Sequence, residues 1–121
     1  MSGQLPADLP RPPYWVAVLS SLRNGADPEQ YAAAARRMRE LAGQQPGFIA
    51  AESARTAEGF GISLSYWHDP ESIAAWRDQV EHTLVREFGR EHWYEALHVH
   101  IARVERSYRV EPATQASSSA R

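Results

Sequence analysis

The stretch Phe60-Gly61-Ile62-Ser63-Leu64-Ser65-Tyr66-Trp67-His68-Asp69-Pro70-Glu71 decides the fold. Its first eight residues alternate strictly, with Phe60, Ile62, Leu64 and Tyr66 on one face and Gly61, Ser63, Ser65 and Trp67 on the other. A period of two predicts a strand. Asp69-Pro70-Glu71 then predicts a helix start: a carboxylate to cap free amides, a proline suited to the first helical turn, and an acid at the positive end of the helix dipole. The stripe that follows, Ile73, Trp76, Val80, Leu84 and Phe88, recurs at spacings of three and four, which predicts a helix with one apolar face. Gly89 is its expected stop or bend.

Working towards the N-terminus, Glu58-Gly59 turns this strand back onto the run 48–56, and the pair predicts a hairpin. Before it, Asp27-Pro28-Glu29 opens another helix, whose stripe is Tyr31, Ala34, Ala35, Met38, Leu41 and Ala42. Gly43 is its expected end, and the opposite face carries Arg36, Arg37, Arg39 and Glu40 as a solvated surface. The run 14–22 is apolar on both faces, Tyr14, Val16 and Val18 on one and Trp15, Ala17 and Leu19 on the other, and it predicts a first strand. Towards the C-terminus, a turn through Trp93-Tyr94 precedes a last strand expected over 96–108. The order is βαββαβ, the arrangement of α+β, ferredoxin-like folds. Two helices cover one face of a four-stranded sheet. The doubly apolar first strand therefore predicts that a second copy covers the other face, as a homodimer.

At 121 residues the chain is expected to form one domain. Residues 1–13, with Pro6, Pro10, Pro12 and Pro13, are expected as an extended arm, 14–110 as the folded domain and 111–121 as a disordered polar tail. Composition is ordinary for a globular protein, at 43% hydrophobic and 23% charged with net charge −2. That balance gives no basic footprint for nucleic acid. No apolar run is long enough for a membrane span, and no secretory leader is apparent, so the expected location is cytoplasmic. Zero cysteines exclude thiolate nucleophiles, disulfides and cysteine-ligated metals. Chemistry is left to 4 Trp, 5 Tyr, 5 His and the charged side chains, or to a borrowed cofactor.

Three segments together resemble the antibiotic biosynthesis monooxygenase family, in its small bacterial branch related to haem-degrading monooxygenases. They are Gln45-Pro46-Gly47-Phe48, the stretch Ser65-Tyr66-Trp67 followed by Asp69-Pro70-Glu71-Ser72-Ile73-Ala74-Ala75-Trp76, and the stretch from His82 through Gly89-Arg90-Glu91-His92-Trp93-Tyr94. The resemblance covers 14–110. It implies a dimeric α+β barrel with a pocket in each subunit between sheet and helices. It also implies a small monooxygenase acting on an aromatic or polycyclic small molecule, with no cofactor required; the alternatives are a haem-binding or haem-degrading protein, or a dimer that binds a small molecule without turning it over. Trp76 matches the second-helix tryptophan that presses on the macrocycle in haem-degrading members. Their axial histidine, ten residues later, is replaced by Arg86, which stays protonated and cannot ligate iron. Their first-strand asparagine falls near Ser20 or Ser21. Haem binding through His82 is the remaining haem option.

For the cofactor-free route, His82 is the candidate base, with an ordinary pKa suited to proton transfer. Trp76, Tyr66, Trp67, Tyr31 and Trp93, with Tyr94, are candidate walls for a flat substrate. The small residues Gly61, Ser63 and Ser65 leave room beside them. Arg86, with Arg37, is a candidate for holding an anionic oxygen. Each has a plainer reading: core filling for the aromatics, a solvated surface for His82 and the arginines. His98 and His100 share a strand face, a spacing open to a metal, but no third ligand accompanies them and no metal site is expected.

Overall fold

The computed structural model describes residues 5–90 and 93–112. Its elements are β1 (Tyr14–Arg23), α1 (Pro28–Gln44), β2 (Phe48–Arg55), β3 (Phe60–Trp67), α2 (Pro70–Phe88) and β4 (Tyr94–Val104). The strands form one antiparallel sheet in the order β2-β3-β1-β4. This is the α+β, ferredoxin-like arrangement expected from the alternation and the two helix starts.

Both helix starts are built as the residue types require. Asp27 accepts from the Gln30 amide at 3.2 Å and Asp69 from the Ser72 amide at 2.8 Å, each satisfying a first-turn donor that has no partner within the helix. The Ser72 backbone bond, followed by the Ser72 side chain, holds the Asp69 carboxyl below its ordinary pKa. Gly89 closes α2 in the left-handed conformation (φ 74°), which costs a residue without Cβ little. α1 continues through Gly43 to Gln44, one residue beyond the expected end.

β4 differs more from the sequence expectation: it begins at Tyr94 and ends at Val104. Tyr94 pairs with Arg23 across an irregularity in β1, and Val104 pairs with Tyr14, the first residue of β1. Beyond Val104 no strand remains to pair with, so regular structure stops there. The C-terminal tail from 113 onward lies outside the described residues.

Apart from Ile49 and Glu95, which the register shifts leave unpaired, the register assigns the strand residues to two faces. On the helix side four rows cross the sheet: Arg55–Gly61–Ser21–Leu97, Ser53–Ser63–Leu19–Val99, Ala51–Ser65–Ala17–Ile101 and Phe48–Trp67–Trp15–Arg103. One core cluster sits between the helices (Ala34, Leu41, Val80, Leu84, Trp93) and a second between helices and sheet (Ala17, Ala42, Trp67, Ile73). Trp76 packs against both. Each buried Leu, Val or Ile contributes roughly 1.5–3 kcal/mol by leaving water.

The other face of the sheet carries Val16, Val18, Leu64 and Tyr66, with Phe60 and Ile62 46% and 42% exposed. No helix covers it. The N-terminal arm touches its edge, where the Ala7 amide donates to Glu52 at 2.8 Å.

Candidate active site

The helices pack on the central strands β3 and β1, where Ala17, Ser21, Ser65 and Trp67 are buried, and α1 reaches the start of β4 through Tyr31 and Tyr94; the rest of β4 is left uncovered. Leu97, Val99 and Ile101 are therefore exposed on the helix side, at 45%, 38% and 45%. Beside this apolar strip lie Gly61, Ser63 and Ser65 on β3 and Ala17, Leu19 and Ser21 on β1. The floor is small-residue in its middle, at Ser63, Ser65 and Ala17, while the space over Gly61 is filled by the Arg55 guanidinium.

Each end of the floor is aromatic. At one end Trp67, fully buried, meets Phe48 at 5.3 Å and Trp76 at 5.6 Å between ring centroids. The Trp76 indole donates to the Met38 carbonyl at 3.0 Å. At the other end Tyr31 meets Trp93 at 5.9 Å and Tyr94 at 6.0 Å. Arg55 reaches this end from β2, donating to Ser21 Oγ at 2.8 Å, to the Tyr31 hydroxyl at 3.1 Å and to the Gly59 carbonyl. Arg23 lies over the Tyr31 ring at 3.8 Å and donates to the Ala26 carbonyl. Burial, followed by the Tyr31 hydroxyl, raises the Tyr94 pKa well above its ordinary value, although Arg55 and Arg23 pull it the other way. Tyr94 is therefore a neutral hydroxyl at physiological pH.

Among the described residues, Ser65 Oγ, Trp67 Nε1, Trp93 Nε1 and Arg23 Nε are buried on this side of the sheet without a hydrogen-bond partner. A buried donor without an acceptor costs about 1–3 kcal/mol. Ser65 and Trp67 lie at one end of this face, and Trp93 and Arg23 lie at the other with Tyr31.

The residues singled out in the sequence fall into three places. Trp67 and Trp76 come together at one end of the cleft, and Tyr31 and Trp93 at the other. Tyr66 stands on the opposite face of the sheet, where its hydroxyl donates to Glu52 at 3.1 Å and its ring meets Tyr14 edge-on. The alternation of β3 that directs Trp67 inward directs Tyr66 outward, so the two cannot wall one cavity. Burial, then the Glu52 bond, pushes the Tyr66 pKa up to about 12.

His82 and Arg86 lie on the outer surface of α2. At 100° per residue His82 is about 180° from Ile73 and Leu84 around the helix, and it is exposed. The Arg86 side chain is 66% exposed and 3.8 Å from Glu87. Arg37 is likewise engaged, by Glu87 at 3.1 and 3.2 Å. These positions do not fit haem: α2 presents neither an imidazole nor an open coordination position to the interior. His98 and His100 stand exposed on the face away from the helices, their rings 4.2 Å apart. No group of three or more potential metal ligands occurs among the described residues.

Arg55 and Arg23 were not among the residues the sequence singled out. A turn at Glu58-Gly59 alone would set Thr56 opposite Gly61; the hairpin instead turns through the three residues 57–59, and that sets Arg55 opposite Gly61. Two cavities, of about 740 and 490 Å3, lie away from this cleft, where residues 6–12 and 107–112 approach Tyr66, Tyr14, Val16 and Val18.

The architecture recurs in solved structures. SnoaB, a cofactor-independent oxygenase from Streptomyces nogalater, superposes with a TM-score of 0.63 at 14% identity, over 78% of this chain and 95% of that one. Protein SO0527 from Shewanella oneidensis gives 0.62 at 15% identity, over 78% and 94%. These likenesses define the class of fold. The sequence model of the antibiotic biosynthesis monooxygenase family matches residues 13–87, and the chain belongs to that family. It is also 43% identical over 97 residues to the uncharacterised protein YqjZ of Bacillus subtilis (strain 168), covering 80% of this chain and 84% of that protein.

Proposed function

We propose that this chain is a monooxygenase that oxidises an electron-rich aromatic or polycyclic small molecule with dioxygen, without a cofactor, in the cleft on the helix side of the sheet. The observation that carries the reading is the floor itself. Small residues at Ser63 and Ser65, an uncovered apolar strip at Leu97, Val99 and Ile101, and an aromatic cluster at each end suit a flat apolar body. Family membership supports the reaction class.

Without a redox group in the protein, the substrate itself is the reductant. A methylene carbon flanked by aryl rings loses a proton, and the carbanion donates electrons to dioxygen and forms a C–O bond. The O–O bond of the resulting peroxide then breaks as the second hydrogen leaves. One oxygen atom remains as a carbonyl, and the other departs as water with both hydrogens. The protein contributes position, a dry surface and stabilisation of the anion. His82, on the outer surface of α2, takes no step in this cleft.

The working unit in this reading is a homodimer, with the face bearing Val16, Val18 and Leu64 covered by a second copy, since a lone chain would leave that apolar surface in water. Oxygen uptake with a panel of anthrones and hydroquinones tests the activity. Uptake above the protein-free rate, with quinone formed in proportion to oxygen consumed, is the expected result; a rate equal to the blank refutes it.

A further inference from the structure

The Tyr31 end of the cleft holds two guanidinium groups, Arg55 and Arg23, and neither is paired with a carboxylate among the described residues. Both side chains are only partly exposed. Arg55 spends its donors on neutral acceptors, Ser21 Oγ, the Tyr31 hydroxyl and the Gly59 carbonyl. Its charge is thus held in place but not neutralised, and a half-buried charge is felt more strongly than one in open water.

The sheet is built to admit this guanidinium. Arg55 pairs with Gly61 in the hairpin, and Gly61 with Ser21 on the next strand. A Cβ on Gly61 would lie 2.6 Å from Arg55 Cζ. Only the absence of a side chain there lets the guanidinium lie across β3 and bond to Ser21 on β1. The remaining groups at this end are donors too, with the Tyr94 and Tyr31 hydroxyls bonded to each other at 3.4 Å. Arg23 Nε is buried without a partner, and Tyr94 keeps its proton. In register, Ser21 adjoins Leu97, where the exposed apolar strip begins.

We propose that Arg55 and Arg23, with the Tyr31 and Tyr94 hydroxyls, form an anion-recognising end of the cleft, so that its ligand is an aromatic compound bearing an anionic oxygen, carboxylate or phenolate. The un-neutralised charge of Arg55, held in place by its bonds to Ser21 and Tyr31, and the unpartnered Nε of Arg23 favour an anionic oxygen over a neutral one. The apolar strip from Leu97 to Ile101 receives the ring system. This deepens the reading above and rests on it for the ligand's aromatic body.

The test is a binding titration, followed by tryptophan fluorescence or calorimetry, with 2-naphthoate and its neutral isostere 2-naphthamide. The wild-type protein should prefer the carboxylate by about tenfold or more. Arg55→Gln should bring the two affinities together, and Arg55→Lys, which keeps the charge and loses the guanidinium, should fall between. Gly61→Ala should weaken the preference by displacing the end of a flexible side chain, with an unchanged melting profile to show that the fold is intact. Arg77→Gln, a control whose side chain is 64% exposed on α2, should bind as the wild type does. Equal wild-type affinities, a preference that survives Arg55→Gln, or failure of both compounds to bind would each overturn the proposal. Titrating 2-naphthol below and above its ionisation separates the two anions: a rise in affinity that depends on Arg55 assigns phenolate, and a flat response assigns carboxylate. Neither naphthoate nor naphthamide need be turned over. A protein that selects the anion through Arg55 but consumes no oxygen with anthrones loses the oxygenase reading alone. One that oxidises anthrones but ignores charge loses this proposal alone.

Discussion

Replacing Trp67 with Phe should cost the fold less than replacing Trp76 with Phe, although Trp67 is 0% exposed and Trp76 is only partly buried. The reason is the hydrogen-bonding state of each indole. In Trp67→Phe, roughly 40 Å3 is left unfilled, about 1 kcal/mol, and about 1 kcal/mol of transfer energy goes with the lost ring atoms. Trp67 Nε1, however, is buried without an acceptor, and removing it returns about 1–3 kcal/mol. The net change is within about 1 kcal/mol of zero in either direction. Trp76→Phe instead breaks the 3.0 Å bond to the Met38 carbonyl and loses partly buried ring surface, together about 2 kcal/mol with nothing returned. The 5.6 Å contact between the two rings is weakened in both variants and largely cancels in the comparison. Urea unfolding at one protomer concentration measures both changes, with equal slopes showing that the unfolded states are comparable. A loss of about 3 kcal/mol in Trp67→Phe, larger than that in Trp76→Phe, would refute the reasoning. It would mean that Trp67 Nε1 is satisfied in solution and that the cleft has no spare donor at that end.

Val18→Lys places a charge on the apolar face away from the helices and should convert a dimer to single chains in light scattering; a wild type already at the mass of one chain refutes the dimer. Tyr66, with its pKa raised to about 12 from 10.0, stabilises the fold fully below about pH 10 and loses that contribution as pH rises through 12. Near-ultraviolet titration should show a tyrosine step near 12 that disappears in Tyr66→Phe, and a step that persists in the variant excludes the assignment. Asp69, held below its ordinary pKa by Ser72, stabilises the fold above the ordinary carboxylate range and loses that contribution as pH falls through its lowered value. Asp69→Asn should therefore flatten the acid limb of the stability profile, and an unchanged limb contradicts the cap's electrostatic role.

Local patterning made most of the fold legible. The alternation over 60–67, the caps at Asp27 and Asp69 and the stripe from Ile73 to Phe88 are short-range signals, and each element formed where those signals placed it. The end of β4 was not legible, because a strand ends where its partner ends, and the partner of Val104 is Tyr14, ninety residues earlier in the chain. Candidate site residues were legible as types but not as groups. His82 carries suitable chemistry, and its phase on α2 turns it outward. Tyr66 and Trp67 are chain neighbours directed to opposite faces of β3.

By itself the sequence determined the element order, the caps, the helix stripes and the two faces of each strand, because a period of two or 3.6 and a capping side chain act over a few residues. Only the tertiary structure decided which faces meet. Strand order placed Arg55 across Gly61 from Ser21, and the packing of the helices over β3 and β1 left Leu97, Val99 and Ile101 bare. Both depend on contacts between distant segments, where the shape of one side chain sets the space left for another.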